Sequence, residues 1–507
     1  MGTKKENFTR YINDGYTFKG ESIIIGGALL DGEALAEAPI KIPLKTLNRH
    51  GLIAGATGTG KTKTIQVLSE QLSTFGIPVL MMDIKGDFSG IAKEGEVLPF
   101  ITARHDKINV PYSVSGFPVE LLSLSEQNGI RLRATVSEFG PVLFSRILNL
   151  NDTQSGVVSV IFKYCDDHKM PLLDLKDIKK VIHYITEEGK QEIEESYGKI
   201  ATSSTGTILR KIIELEQQGG DLFFGEMSFD TTDLMRFDEN GKGYINIIRL
   251  TDIQDKPKLF STFMLSLLAE IYQQMPEKGD VDQPELVIFI DEAHLIFKEA
   301  SKALLDQIET IIKLIRSKGV GVFFITQNPM DVPSGVLAQL GLKIQHALRA
   351  FTANDRQAIK QTADNYPLSD YYKTDEVLTS LGIGEALVTA LNEKGIPTPL
   401  AATMMRAPMS RMNILTEAEI DEINSKSKLV KKYNEVVDRE SAYEMLLKKI
   451  EVLENESDAL EKRKIEEKQD TKLSETAGTV TKSVLKVLTS ATFIRGAFGI
   501  LSKILKK

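Results

Sequence analysis

The segment GATGTGKT, residues 55 to 62, constrains the fold more than any other part of the chain. It follows the apolar run Leu52-Ile53-Ala54 and opens KTKTIQVLSEQLSTFG, whose apolar residues recur at helical spacing and which stops at Gly76. Strand, glycine-rich loop and helix in that order make a cradle for phosphate. Gly55, Gly58 and Gly60 let the backbone turn its N–H groups inward, with Ala56, Thr57 and Thr59 between them. The helix that follows adds the partial positive charge of its N-terminus. In this pattern Lys61 reaches the β- and γ-phosphates, and Thr62 offers its hydroxyl to Mg²⁺. The expected ligands are therefore ATP and Mg²⁺, held by Gly55 through Thr62.

A cradle alone binds nucleotide, whereas hydrolysis also needs metal support and a base. LVIFIDEAH supplies both residue types: the apolar run Val287 to Ile290 ends in Asp291 and Glu292. Asp291 is placed to hold the water shell of Mg²⁺, and Glu292 to orient or deprotonate the attacking water. Adjacent carboxylates at the end of a buried strand suit the crevice where open α/β sheets bind ligands. The pair also suits a helix start, but the upstream cradle favours the catalytic reading. The next apolar run, VFFITQN, brings Gln327 to a strand end, either to sense the γ-phosphate or as an ordinary polar terminus. Asp83, closing VLMMD, either lies behind the metal or forms a turn with Gly86. The six histidines form no spaced cluster, and the single cysteine, Cys165, excludes an internal disulfide and a cysteine-based zinc site.

A chain of 507 residues exceeds what one hydrophobic core usually spans, so several units are expected. Buried apolar runs alternating with amphipathic helices predict a mostly parallel α/β sheet covered on both faces. The expected divisions are a short β-rich segment at 1–50, an ATPase core at 51–111 and 240–410, and a helical insertion at 112–239. A charged helical segment at 411–475 and a basic tail at 476–507 follow. Leu446, Ile450, Leu453 and Leu460 fit a short heptad seam interrupted by Ser457, as a coiled coil or as a solvated single helix. The net charge of −8 confines any nucleic-acid contact to a local patch or a pore lining. The opening residues lack the apolar region of a signal peptide, and no uncharged apolar run reaches the roughly 18 residues of a membrane span. A cytoplasmic soluble protein is the expectation.

Five stretches taken together resemble a known family: GATGTGKT, VLMMDIKGD, LVIFIDEAHLIF, IIKLIRSKGVGVFFITQNPMDVP and KIQHALRAFTANDRQAIK. They are similar to the HerA-like helicase/translocase ATPases of the FtsK–HerA group, and within it to the bacterial YjgR-type branch. The resemblance covers most of residues 15 to 410. It implies a RecA-like P-loop NTPase core of the additional-strand, catalytic-glutamate kind, acting as a hexameric ring that moves double-stranded DNA. Such rings complete each site with a neighbour's arginine, which neutralises transition-state charge. Arg316 matches the family's position best, and Arg349 is the second candidate. The resemblance implies an N-terminal β-barrel that meets a nuclease partner, and the expectation for the 50 residues before the cradle is an abbreviated form, with the nuclease partnership left open.

Residues 476–507 carry six Lys or Arg and no acidic side chain, with an apolar stripe including Val484, Leu488, Phe498 and Leu501. Such a tail suits packing or partner contact, an anionic membrane surface, or DNA. Two functions follow: a ring-forming DNA translocase, or a nucleotide-driven oligomeric switch acting on a protein or membrane partner.

Overall fold

The computed structural model describes residues 3–474 apart from 255, 298–301, 436 and 438. The chain divides into two compact units, Met1–Leu446 and Leu447–Lys507. The basic tail expected at 476–507 lies outside the described residues.

The first unit is built on one 12-stranded sheet, in the order β2-β1-β12-β11-β10-β3-β9-β8-β4-β7-β5-β6. In chain order the strands are β1 (Ser22–Leu30), β2 (Glu33–Pro43), β3 (Gly51–Ala54), β4 (Val79–Asp83), β5 (Val119–Ser123) and β6 (Ile130–Arg131). They continue as β7 (Ile245–Arg249), β8 (Leu286–Ile290), β9 (Val320–Thr326), β10 (Leu342–His346), β11 (Glu385–Thr389) and β12 (Ala401–Met405). From β10 to β6 every pairing is parallel. From β2 to β10 every pairing is antiparallel. Strands β3, β4, β8 and β9 are buried at every residue, as a parallel sheet covered on both faces requires. β9 lies between β3 and β8, and it is the additional strand that the resemblance implies.

Register brings the ends of the central strands together. Ala54 stands beside Thr326 and Gln345, and Met82 beside Ile290. The cradle, the Asp291–Glu292 pair, Gln327 and Asp83 therefore all leave the sheet at its C-terminal edge.

The expected divisions shift at two places. The stretch expected as a helical insertion from 112 begins with β5 and β6, which pair alongside β7 in the central sheet. Val-Glu-Leu-Leu-Ser at 119–123 is a five-residue, fully buried strand, and a run that short carries no period to distinguish it from a helix. The helices proper run from Val136–Ile147 to Gly220–Phe223. The segment 1–50 is continuous with the main sheet, since β1 pairs with β12, and it starts with a helix, α1 (Lys4–Gly15). A capping box sets the start of α1: the Thr3 hydroxyl accepts from the Glu6 amide, and the Glu6 carboxylate accepts from the Thr3 amide at 2.7 Å.

The second helix, α2 (Lys61–Thr74), runs from the cradle and is clamped by residues 409–412. Buried Glu70 accepts from the amides of Met409 and Ser410 at 2.8 and 2.9 Å. Gln66 donates to Ser410 Oγ and the Arg411 carbonyl, and Lys63 to the Met412 carbonyl at 2.7 Å. Residues 409–412 thus fix the helix that carries the cradle. The helix Ala442–Ser474 covers the expected heptad seam, where Leu453 and Leu460 are exposed. Among the described residues no helix is long and apolar enough to cross a membrane.

Candidate active site

The cradle's shape follows from its glycines. Gly55 and Gly60 have φ of 152° and 118°, and a Cβ at Gly55 would come within 2.5 Å of His346 Cβ. Gly60 packs against Gly384, whose amide donates to the Thr59 carbonyl at 2.9 Å. The loop is tied to neighbouring strand ends by Gly55 N to Thr326 O at 3.3 Å and Ala56 N to Ala347 O at 2.9 Å. The amides of Gly58, Gly60, Lys61 and Thr62 make no hydrogen bond among the described residues. Donors left free at a helix N-terminus fit phosphate oxygens. Lys61 folds back on the loop and donates to the carbonyls of Gly55 and Ala56 at 2.7 and 3.1 Å. Burial pulls its ammonium below the usual lysine range, Lys85 adds to that, and Glu292, Asp291 and Asp87 oppose it.

Three loops bring opposite charges around Lys61. Thr62 Oγ1 donates to Asp87 Oδ2 at 3.1 Å. Asp87 Oδ1 is buried and accepts no hydrogen bond among the described residues. Asp291 is buried, and its carboxyl is pushed up to about 6 by desolvation, with Lys85 pulling it back. Thr62, Asp87 and Asp291 fit Mg²⁺, which takes one or two carboxylates and completes its shell with water and phosphate oxygens. That habit suits a site where, among the described residues, no group of three His, Cys, Asp or Glu could hold a metal alone.

Asp87 is absent from the sequence expectations; its signal is the second acid of DIKGD, four residues past the end of β4. Asp83 is the turn residue. It accepts from the amides of Gly86, Asp87 and Phe88 at 2.7, 3.1 and 3.3 Å, and burial raises it to about 7. It shapes the loop that presents Lys85 and Asp87.

Glu292 follows β8 with φ of 46°, a left-handed conformation rare for a residue with a side chain. Ala293 N donates to Ile325 O at 2.8 Å and pins this turn to β9. Glu292 Oε1 forms an ion pair with Lys85. His294 Nδ1 stands 3.2 Å from Oε2, an ion-pair distance without hydrogen-bond alignment, so Oε2 accepts no hydrogen bond among the described residues. A buried carboxylate oxygen with a free lone pair is the acceptor a nucleophilic water requires.

Gln327 stands at the cradle rim, where its Oε1 accepts from Thr57 Oγ1 at 3.4 Å. His346, at the end of β10, supports the cradle from below. Its Nδ1 donates to the Glu385 carbonyl at 2.9 Å, so its Nε2 accepts from Thr64 Oγ1 at 2.9 Å, and burial lowers it to about 4. The two candidate arginines occupy opposite edges. Arg349 is exposed, just past β10 on the cradle side. Arg316 precedes β9 and is half-exposed, 3.9 Å from Asp280. The seven residues of β9 put it on the order of 20 Å from the cradle of its own chain.

The family model of the helicase HerA-like C-terminal region matches residues 29–495. The chain belongs to this family. It is 24% identical over 363 residues to the DNA double-strand break repair helicase HerA of Sulfolobus acidocaldarius, across 71% of this chain and 66% of that protein. The matched stretch spans 63 to 66% of the length of three such HerA relatives. Among solved structures, the bacterial conjugative coupling protein TrwBdeltaN70 is similar with a TM-score of 0.54 and 14% identity, over 80% of this chain and 94% of that chain. VirB4 of Thermoanaerobacter pseudethanolicus is similar with a TM-score of 0.51 and 16% identity, over 77% of this chain and 97% of the chain in that structure. At these identities the likeness is one of fold.

Proposed function

We propose that this family member is a Mg²⁺-dependent ATPase that assembles into a ring, a hexamer by family resemblance, and moves double-stranded DNA. One observation carries the hydrolytic part: a cradle of free amides and a buried glutamate with a free acceptor oxygen converge at one sheet edge. In this reading the amides of Gly58 to Thr62 bind the phosphates, and Lys61 leaves its loop carbonyls to pair with phosphate oxygens. Thr62, Asp87 and Asp291 hold the metal, which when bound neutralises charge on the phosphate oxygens. Glu292 takes a proton from the attacking water, and Gln327 at the rim orients that water. Arg316 serves the site of the next subunit, because its own cradle is a strand length away. The DNA part rests on the relatives, since the match in Sulfolobus acidocaldarius is a DNA repair helicase. A ring gathers a modest number of basic side chains into one pore, so a net charge of −8 is compatible with DNA.

ATP turnover with and without long duplex DNA, at fixed low salt, tests this reading, with Lys61→Ala as the inactive control. Several-fold stimulation is expected. Turnover indifferent to DNA would reject translocation and leave the oligomeric switch acting on a protein or membrane partner.

A further inference from the structure

The ion pair between Lys85 and Glu292 has no part in the hydrolytic cycle described above. Glu292 has only 8% of its side chain exposed, and its turn is pinned to β9 at Ala293, so the backbone cannot re-aim it without breaking that bond. Its carboxylate can change direction only by side-chain rotation, and Lys85 holds one of its oxygens. Lys85 differs in freedom: its side chain is 38% exposed and sits on the loop that Asp83 fixes through three amides. Its ammonium also feels Asp291 and Asp87. Lys85 is therefore a half-exposed cation beside the acids of the site and within the field of Lys61.

We propose that Lys85 is a positioning residue that latches Glu292 away from the attacking water until phosphate draws its ammonium off. The proposal rests on the ATPase reading and deepens it. An incoming γ-phosphate concentrates negative charge at the cradle, where both Lys61 and Lys85 are within reach of its field. Once Lys85 turns to that charge, Oε1 joins Oε2 as a free acceptor and the carboxylate can rotate toward the water, a freedom it gains only when substrate is present. With ATP bound, the ion pair still competes with release, so the latch lowers turnover and makes the release of Glu292 a step that a bound partner can influence.

The test is steady-state ATP turnover of the full chain carrying Lys85→Met, without DNA. The expected result is a kcat raised about threefold, the ratio that the modest strength of a half-exposed ion pair allows, with KM for ATP unchanged. Lys85→Arg, which keeps a cation at that place, is expected to bring kcat back down. A purely structural role for Lys85 would move the melting temperature and leave this split and its rescue absent. If Lys85→Met melts early, Lys85→Gln repeats the measurement. Equal or slower turnover in a folded uncharged variant would overturn the latch, and a large loss would make Lys85 a phosphate-contacting residue. Absence of turnover in the unaltered protein would instead overturn the ATPase reading, and the latch with it.

Discussion

The two edges of the parallel sheet are built from the same strands and differ in almost every other respect. At the C-terminal edge the segments after β3, β4 and β8 carry Lys61, Thr62, Asp87, Asp291 and Glu292, together with free amides and acceptor oxygens. At the opposite edge buried Asn48 Oδ1 accepts no hydrogen bond among the described residues, but its neighbours His50 and Arg316 have partners. His50 is held neutral there: Nε2 donates to the Ile312 carbonyl at 2.8 Å, Nδ1 accepts from the Val322 amide at 3.0 Å, and burial lowers it to about 4. Arg316 stands nearby with one loose acidic partner, Asp280. One edge gathers free amides and unpartnered carboxylate oxygens around the cradle, and the other presents a half-exposed arginine with one distant acidic partner. On the proposed reading the site is half of a catalytic unit, and Arg316 of another copy supplies the second half.

The strongest way to break this comparison is to remove Arg316. Arg316→Ala is expected to lower kcat by about 10³-fold or more, with nucleotide binding kept. Mixing it with Lys61→Ala chains, each inactive alone, is expected to restore part of the turnover, because some cradles then meet an intact arginine. No recovery on mixing would exclude Arg316 as a residue acting on a neighbour's site and leave Arg349, on the cradle side, as the arginine to remove.

A second effect belongs to the crowded edge alone. Asp87→Asn keeps the side-chain shape and removes a charge beside Thr62, so the Mg²⁺ concentration for half-maximal turnover should rise about tenfold, as for loss of a supporting carboxylate. An unchanged Mg²⁺ requirement would return the metal to Thr62 and Asp291 alone.

The smallest effect concerns the support under the cradle. His346 titrates near 4 in the folded chain against 6.5 when free, so its contribution to stability is present above pH 6.5 and is lost as pH falls towards 4. The gap in melting temperature between the unaltered protein and His346→Gln should narrow over that range. A gap constant with pH would mean that His346 is not neutral in the fold.

How far the site could be read from sequence depends on whether its residues are neighbours along the chain. GATGTGKT and Asp291–Glu292 are contiguous motifs, and their chemistry is stated by residue type and spacing. Asp87 and Lys85 escape such reading because their meaning comes from the Asp83-centred turn, which aims them across to Thr62 and Glu292. The clamp of residues 409–412 on Glu70 joins parts of the chain over 300 positions apart, and nothing local marks it. The central strands were legible as apolar runs ending in polar residues. β5 was not, since five buried residues have no usable period, whereas the start of α1 was available in the Thr3–Glu6 capping box.

The measurement that bears most directly on the central claim is the fate of ATP bound to Glu292→Gln in the presence of Mg²⁺. If Glu292 is the base and the cradle does the binding, the variant retains ATP intact, with ADP forming at least about 10²-fold more slowly than in the unaltered protein. ADP formed at the unaltered rate would contradict the account, and so would failure of the folded variant to hold ATP.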